Sequence, residues 1–217
     1  EQNFGKANHY FRRACDANNA LACFNLAHLY REGLGVPRDQ TRAMALFEQA
    51  CSGGDPKACT NLGYMHAAGE GAKVDYSVAE QLFDKACKEG DATGCTDLGY
   101  LHQEGHGVAK SLRQSLALYW QACNEEDAAG CFNLGNQFDL GLGVNRDFLM
   151  ASAAYKKACS AKDYRACTNL GYLNAKGLGI PMNKDKAMVL YRRACNNGIR
   201  IACDNADALN QESLLKR

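Results

Sequence analysis

The chain has 217 residues, and its 25 lysines and arginines nearly balance 24 aspartates and glutamates, for a net charge of +1. Without a global basic field, nothing in the overall charge attracts nucleic acid or an anionic lipid surface, and neither partner is expected. No apolar run approaches the roughly 18 residues that a spanning helix needs, so no membrane span is expected.

Twelve cysteines fall into six Cys-x7-Cys pairs with none left over: Cys15 with Cys23, Cys51 with Cys59, Cys87 with Cys95, Cys123 with Cys131, Cys159 with Cys167, and Cys195 with Cys203. Successive pairs are 36 residues apart. A fixed period of this length marks a solenoid, in which each unit buries its apolar face only by stacking on its neighbours. The repeat therefore overrides the one or two globular domains that the length alone would suggest. Even pairing points to disulfides and to an oxidising compartment, either a bacterial periplasm or the outside of the cell. Zinc ligands usually lie two to four residues apart, whereas seven separate each pair here. Metal ligation and free thiols stay as the alternatives. The chain begins at Glu1 without a methionine or an apolar leader, as it would after removal of an export signal.

Residues 1–18 supply half a repeat, a single helix of the second type, whose partner lies upstream or is absent. Full repeats are predicted at 19–54, 55–90, 91–126, 127–162 and 163–198, and residues 199–217 read as a capping helix. In the unit 55–90, Cys59, Leu62, Gly63 and His66 recur at helical spacing and define a first helix, A, which Gly69-x-Gly71 stops. Asp75 is a suitable N-cap for a second helix, B, with Ala79, Leu82, Phe83 and Ala86 on its inner face. The turn returns as Gly33/Gly35, Gly105/Gly107, Gly141/Gly143 and Gly177/Gly179. A helix C-terminus that reverses sharply needs positive φ. Caps for helix B recur at Asp39, Ser111, Asp147 and Asn183, and an aromatic recurs at Phe11, Phe47, Phe83, Tyr119, Tyr155 and Tyr191. Small residues at Ala27, Gly63, Gly99, Gly135 and Gly171 would let the paired helices approach. Each cysteine pair then joins the end of one helix B to the start of the next helix A. Closing so short a loop stabilises by roughly 2–3 kcal/mol in the chain-entropy model. About twelve helices are expected, in an all-α chain.

The pattern A-C-x-N-L-G-Y, G-x-G-V and A-x-x-L-Y-x-x-A-C resembles the Sel-one-like repeat, a relative of the tetratricopeptide repeat. It is carried by ACFNLAHLYREGLGV, ACTNLGYMHAAGEGA, GCTDLGYLHQEGHGV, GCFNLGNQFDLGLGV and ACTNLGYLNAKGLGI. The added cysteines make it similar to the disulfide-rich branch, the Helicobacter cysteine-rich protein family. That resemblance implies a right-handed α/α solenoid with helices A on its concave side, and a scaffold that binds a protein or peptide partner as a monomer. It also implies an alternative, since some members of the branch bind or slowly hydrolyse penicillins.

Two residues after each A-helix cysteine stand Asn25, Asn61, Asp97, Asn133, Asn169 and Asn205. Asparagine is a mediocre helix former, so its return in five of six units calls for a reason. Its amide offers a donor and an acceptor that match an extended peptide backbone. By resemblance to tetratricopeptide proteins, this ladder would hold such a backbone. The competing use is internal, each amide bonding a neighbouring helix end or loop carbonyl. One turn onward lie His28, Tyr64, Tyr100, Asn136 and Tyr172, side chains that could select a ligand or pack between adjacent helices A.

Catalytic chemistry finds little support. His66 and His102 occupy a repeat position shared with Tyr30 and Phe138, which fits aromatic packing. No His-Glu-x-x-His, Gly-x-Ser-x-Gly or phosphate loop is present. One Ser-x-x-Lys tetrad, Ser213-Leu-Leu-Lys216, lacks the companion motifs of penicillin-recognising enzymes. Neither a catalytic residue, a metal nor a cofactor is expected.

Overall fold

The computed structural model describes the backbone of residues 3–214 and the side chains of residues 3–211. Its elements are twelve helices in chain order: α1 Phe4–Asp16, α2 Ala20–Glu32, α3 Gln40–Ser52, α4 Pro56–Ala68, α5 Tyr76–Lys88, α6 Ala92–Glu104, α7 Leu112–Asn124, α8 Ala128–Leu140, α9 Phe148–Ser160, α10 Tyr164–Lys176, α11 Lys184–Cys195 and α12 Arg200–Leu214. Even-numbered helices are A helices and odd-numbered ones are B helices. No strand occurs among the described residues. The chain divides into two compact units, Glu1–Lys110 and Ser111–Arg217, the first carrying α1–α6 and the second α7–α12.

The expected caps of helix B are in place. Asp39, Asp75, Ser111, Asp147 and Asn183 each accept backbone N–H bonds in the first turn. The A helices are capped as well, with Asn19, Asp55, Asp127 and Asp163 accepting in the same way. Asp91 is the exception, because its carboxylate accepts from the Thr60 hydroxyl of the preceding A helix instead.

Turns from A to B use both glycines, for different reasons. Gly33, Gly69, Gly105, Gly141 and Gly177 end their helices at φ between 68° and 80°. The second glycine is a docking point. A Cβ on Gly107 would lie 2.9 Å from the Tyr76 carbonyl carbon and closer still to its Cβ. Gly71 meets Gln40 and Gly179 meets Phe148 in the same way. Each Gly-x-Gly turn therefore rests on the first residue of the preceding B helix.

Turns from B to A are stapled. Six disulfides join Cys15 to Cys23, Cys51 to Cys59, Cys87 to Cys95, Cys123 to Cys131, Cys159 to Cys167, and Cys195 to Cys203, the pairing expected from the spacing. Their Cα atoms are 4.4 to 4.8 Å apart, and no free cysteine occurs among the described residues. The second cysteine of most pairs is sealed in the core: Cys23, Cys59, Cys95 and Cys167 have no exposed surface, and Cys131 has almost none. Cys203, on α12, is half-buried. Beside each bridge the same backbone bond recurs, as in Asp55 N–H to Ala50 O and Asp127 N–H to Ala122 O, both 3.0 Å.

Each unit has its own core. In the first, Phe47, Met65, Leu62 and Ala86 pack around the buried cysteines. In the second, Tyr119, Tyr155, Tyr191, Leu134, Leu170 and Leu173 do so. The small A-helix residues permit this: a Cβ on Gly63, Gly135 or Gly171 would come within 2.5 to 2.7 Å of the Phe83, Tyr155 or Tyr191 ring.

Candidate functional site

The A helices position the ladder. A 13-residue helix that buries the residue types of Cys59, Leu62, Gly63 and Met65 turns the position two after its cysteine toward the edge of the core. Asn25, Asn61, Asp97, Asn133, Asn169 and Asn205 are all half-buried. They differ in what they touch. Asn61 is engaged internally: its Oδ1 accepts from Arg31 Nη1 at 2.8 Å and its Nδ2 donates to the Lys57 carbonyl at 2.8 Å. Asn169 Nδ2 donates to Asn136 Oδ1 at 3.3 Å. Among the described residues, no protein group bonds the side chains of Asn25, Asn133 or Asn205.

In the first unit Arg31 organises the neighbourhood of Asn61. Its Nε donates to Glu32 at 2.9 Å, and its guanidinium lies 5.7 Å above the Phe47 ring. His28 is wedged edge-on between Phe24 and Phe47, with ring centroids at 4.5 and 5.1 Å. Burial, then the Arg31 charge, pulls its basicity below the ordinary histidine value. His28 thus packs inside the unit, and Arg31 lies between it and Asn61.

Tyr64 and Tyr100 are 52% and 49% exposed, large rings left facing solvent from adjacent A helices. They line one cavity of about 340 Å³ with Asp97, Tyr76, Phe83 and His106. The second unit has a cavity of about 380 Å³ built on the same plan, with Thr168, Asn169 and Tyr172 of α10 facing Ile201 and Asn205 of α12. Tyr172 is 47% exposed. Behind Tyr172, burial first and Tyr172 next push the Tyr191 hydroxyl up to about 12. Asn136 is drawn inward: its Oδ1 accepts from the Tyr155 hydroxyl at 2.8 Å, and Asp139 accepts from that hydroxyl at 3.2 Å. Burial, followed by the Asp139 charge, raises the Tyr155 pKa well above the usual phenol value.

The structure thus groups Tyr64, Asp97 and Tyr100 around one cavity and Asn169, Tyr172 and Asn205 around another. It turns His28, Asn61 and Asn136 toward internal partners. His66 and His102 are half-buried, each with an Nδ1 that is enclosed and unbonded among the described residues. No cluster of metal-ligating residues occurs among the described residues, and no described helix is long and apolar enough to cross a membrane. The Ser213-Leu-Leu-Lys216 tetrad lies outside the residues whose side chains are described.

Comparison with known proteins adds the repeat's kinship. The family model for the Sel1 repeat matches residues 1–19, 20–55, 56–91, 92–127, 128–163 and 165–199. A Sel1 repeat protein from Oxalobacter formigenes superposes with a TM-score of 0.85 at 30% identity, over 92% of this chain and 83% of that one. A protective antigen of uropathogenic Escherichia coli strains with an SLR fold also gives a TM-score of 0.85, at 25% identity, over 96% of this chain and 44% of its own length. The cytochrome c oxidase assembly factor 7 of Xenopus tropicalis is 45% identical over 40 residues, 18% of this chain and 17% of that protein. The chain therefore spans less than half the length of the latter two.

Proposed function

The chain belongs to the Sel1-repeat family, a scaffold family that typically mediates protein interactions, and from that footing we propose that its A helices hold an extended segment of a partner protein. The work is done in a periplasm or outside the cell. Six disulfides fit an oxidising, extracytoplasmic setting. One observation carries the binding reading: in each unit a cavity opens between successive A helices, and a ladder residue shares it with an exposed tyrosine. The ladder group supplies hydrogen bonds to a peptide backbone. The tyrosine supplies a ring and a hydroxyl to whatever side chain the backbone presents. The amides of Asn133 and Asn205, which no protein group bonds among the described residues, are available for this work.

The test uses the oxidised full chain and a linear peptide selected on it from a random library. Replacing Asn133 and Asn205 together by alanine removes two backbone contacts, worth about 0.5–1.5 kcal/mol each, so affinity should fall roughly five- to a hundredfold. The denaturation midpoint should hold, because neither amide supports the fold. Unchanged affinity, or a loss of stability as large as the loss of binding, would assign the ladder to internal structure.

A further inference from the structure

The cavity of the first unit has a wall unlike its counterpart's. Tyr76 of α5 and His106 of the following turn stack with ring centroids 4.9 Å apart and planes at 14°. Tyr100 leans on the same imidazole at 6.0 Å and 55°. Phe83, only 2% exposed, lies beneath, while Tyr64 and Tyr100 stand at the mouth. The stack is fixed by backbone, since Gly107 places the His106 turn directly on Tyr76.

The departures from the repeat converge here. At the ladder position the other five repeats carry asparagine, and this one carries Asp97. At the turn tip Leu34, Glu70, Leu142 and Leu178 correspond to His106, and at the start of helix B Phe4, Gln40, Leu112, Phe148 and Lys184 correspond to Tyr76. Tyr64 and Tyr100 are also the one tyrosine pair on consecutive A helices, the other members of that series being His28, Asn136 and Tyr172. The one aspartate of the ladder and the one histidine of the turn tips therefore line the same cavity, together with Tyr76 from a position that varies freely.

Their chemistry agrees in sign. Aromatic faces carry negative charge density that attracts cations, by about 0.5–2 kcal/mol per contact depending on desolvation. A carboxylate in the same enclosure adds attraction for a cation and repels an anion. The volume of about 340 Å³ is near the small end of ligand cavities, roughly 300–1,000 Å³, and suits one side chain. We propose that this cavity is the specificity pocket for a cationic side chain, lysine or arginine, borne by the segment that the A helices hold. The alkyl stem lies against Tyr64 and Tyr100, and the charged head reaches the Asp97 carboxylate and the π faces. This rests on the peptide-holding reading and adds to it a residue preference.

The experiment pans a random linear-peptide library on the oxidised wild type and on Asp97→Asn side by side. Asparagine occupies this position in the other repeats, so the variant keeps the fold. The wild type should enrich lysine- or arginine-bearing peptides more strongly than the variant does. In a selected peptide, norleucine in place of the lysine, or of an arginine first exchanged for lysine, should weaken binding to wild type roughly five- to thirtyfold. The same swap on Asp97→Asn should cost about threefold less than on wild type, what remains being the share of the π faces. Enriched peptides without a cationic residue, or a preference undiminished in both Asp97→Asn and Tyr100→Ala, would overturn the proposal. Should neither protein enrich any peptide, the peptide-holding reading itself fails. The pocket is then judged by titrating n-butylammonium against n-butanol and following the tyrosine and histidine ring signals by NMR. A response to the cation alone supports it, and equal or absent responses overturn it.

Discussion

Replacing Gln137 by leucine should stabilise the second unit, although it removes a hydrogen bond. Gln137 occupies the A-helix position held elsewhere by Leu29, Met65, Leu101 and Leu173, and it faces the B-helix position held by Ala43, Ala79, Ala151 and Ala187 but here by Ser115. Both polar residues are fully buried. Gln137 Nε2 donates to Ser115 Oγ at 2.5 Å, and that hydroxyl donates to the Leu112 carbonyl at 3.0 Å. Gln137 Oε1 is enclosed with no partner among the described residues. A buried acceptor left unmet costs about 1–3 kcal/mol, and Gln137→Leu removes that penalty along with the bond.

Ser115→Ala should act in the opposite sense, orphaning the amide nitrogen as well and costing about 1–3 kcal/mol. In the Gln137→Leu background the same substitution should cost only about 0.5 kcal/mol, since the hydroxyl then gives up only its local bond to Leu112. Guanidinium unfolding of the four oxidised proteins, followed by far-ultraviolet circular dichroism, reads both effects from midpoints at constant slope. Destabilisation by Gln137→Leu of more than about 1 kcal/mol, or an equal cost of Ser115→Ala in both backgrounds, would refute the reasoning and point to an ordered water that satisfies the oxygen.

Two further outcomes test the turns. Gly105→Ala should cost about 1–2 kcal/mol from its positive φ alone, whereas Gly107→Ala should cost about 2–5 kcal/mol because its Cβ also collides with Tyr76; equal losses in denaturant midpoint would show that the turn does not rest on that residue. Removing the Cys123–Cys131 bridge by paired alanines should lower stability by about 2–3 kcal/mol, and a change below about 0.5 kcal/mol would deny the staples their role.

The repeat was legible because its signals are local and recur. Cysteine spacing, Gly-x-Gly and the helix-B caps each report a backbone event within a few residues, and a period of 36 aligns six copies of the first and at least five of each of the others. What stayed illegible depends on contacts across repeats. Gln49 Nε2 donates to the Cys15 carbonyl and Lys85 Nζ to the Cys51 carbonyl, 34 residues back in each case. Nothing about a glutamine or a lysine on a helix face announces that reach. The ladder shows the same limit. Asn25 and Asn61 look alike in sequence, yet only Asn61 meets an Arg31 placed one repeat earlier. Departures from the repeat were the readable signal that position alone did not exploit: Asp97, His106 and Gln137 each break their column, and each marks a distinct local chemistry.

The placement of the disulfides follows from a difference between the two kinds of turn. The A-to-B turn has two glycines and a neighbouring B helix to lie on, so backbone packing alone defines it. The B-to-A turn has one left-handed residue, and the chain uses glycine there in only three of six cases, Gly54, Gly90 and Gly198. Asn18, Glu126 and Lys162 fill the equivalent position at φ of 61°, 64° and 71°. For Glu126 and Lys162 that conformation is unfavourable by about 1–2 kcal/mol. A covalent bridge worth about 2–3 kcal/mol, closing the same turn, is enough to hold it. With the connection between repeats secured by sulfur and backbone, the outward positions of the A helices are relieved of that task. They can vary from Asn to Asp, or from Asn to Tyr, without loss of the fold, which is the condition a recognition surface needs if each repeat is to read a different side chain.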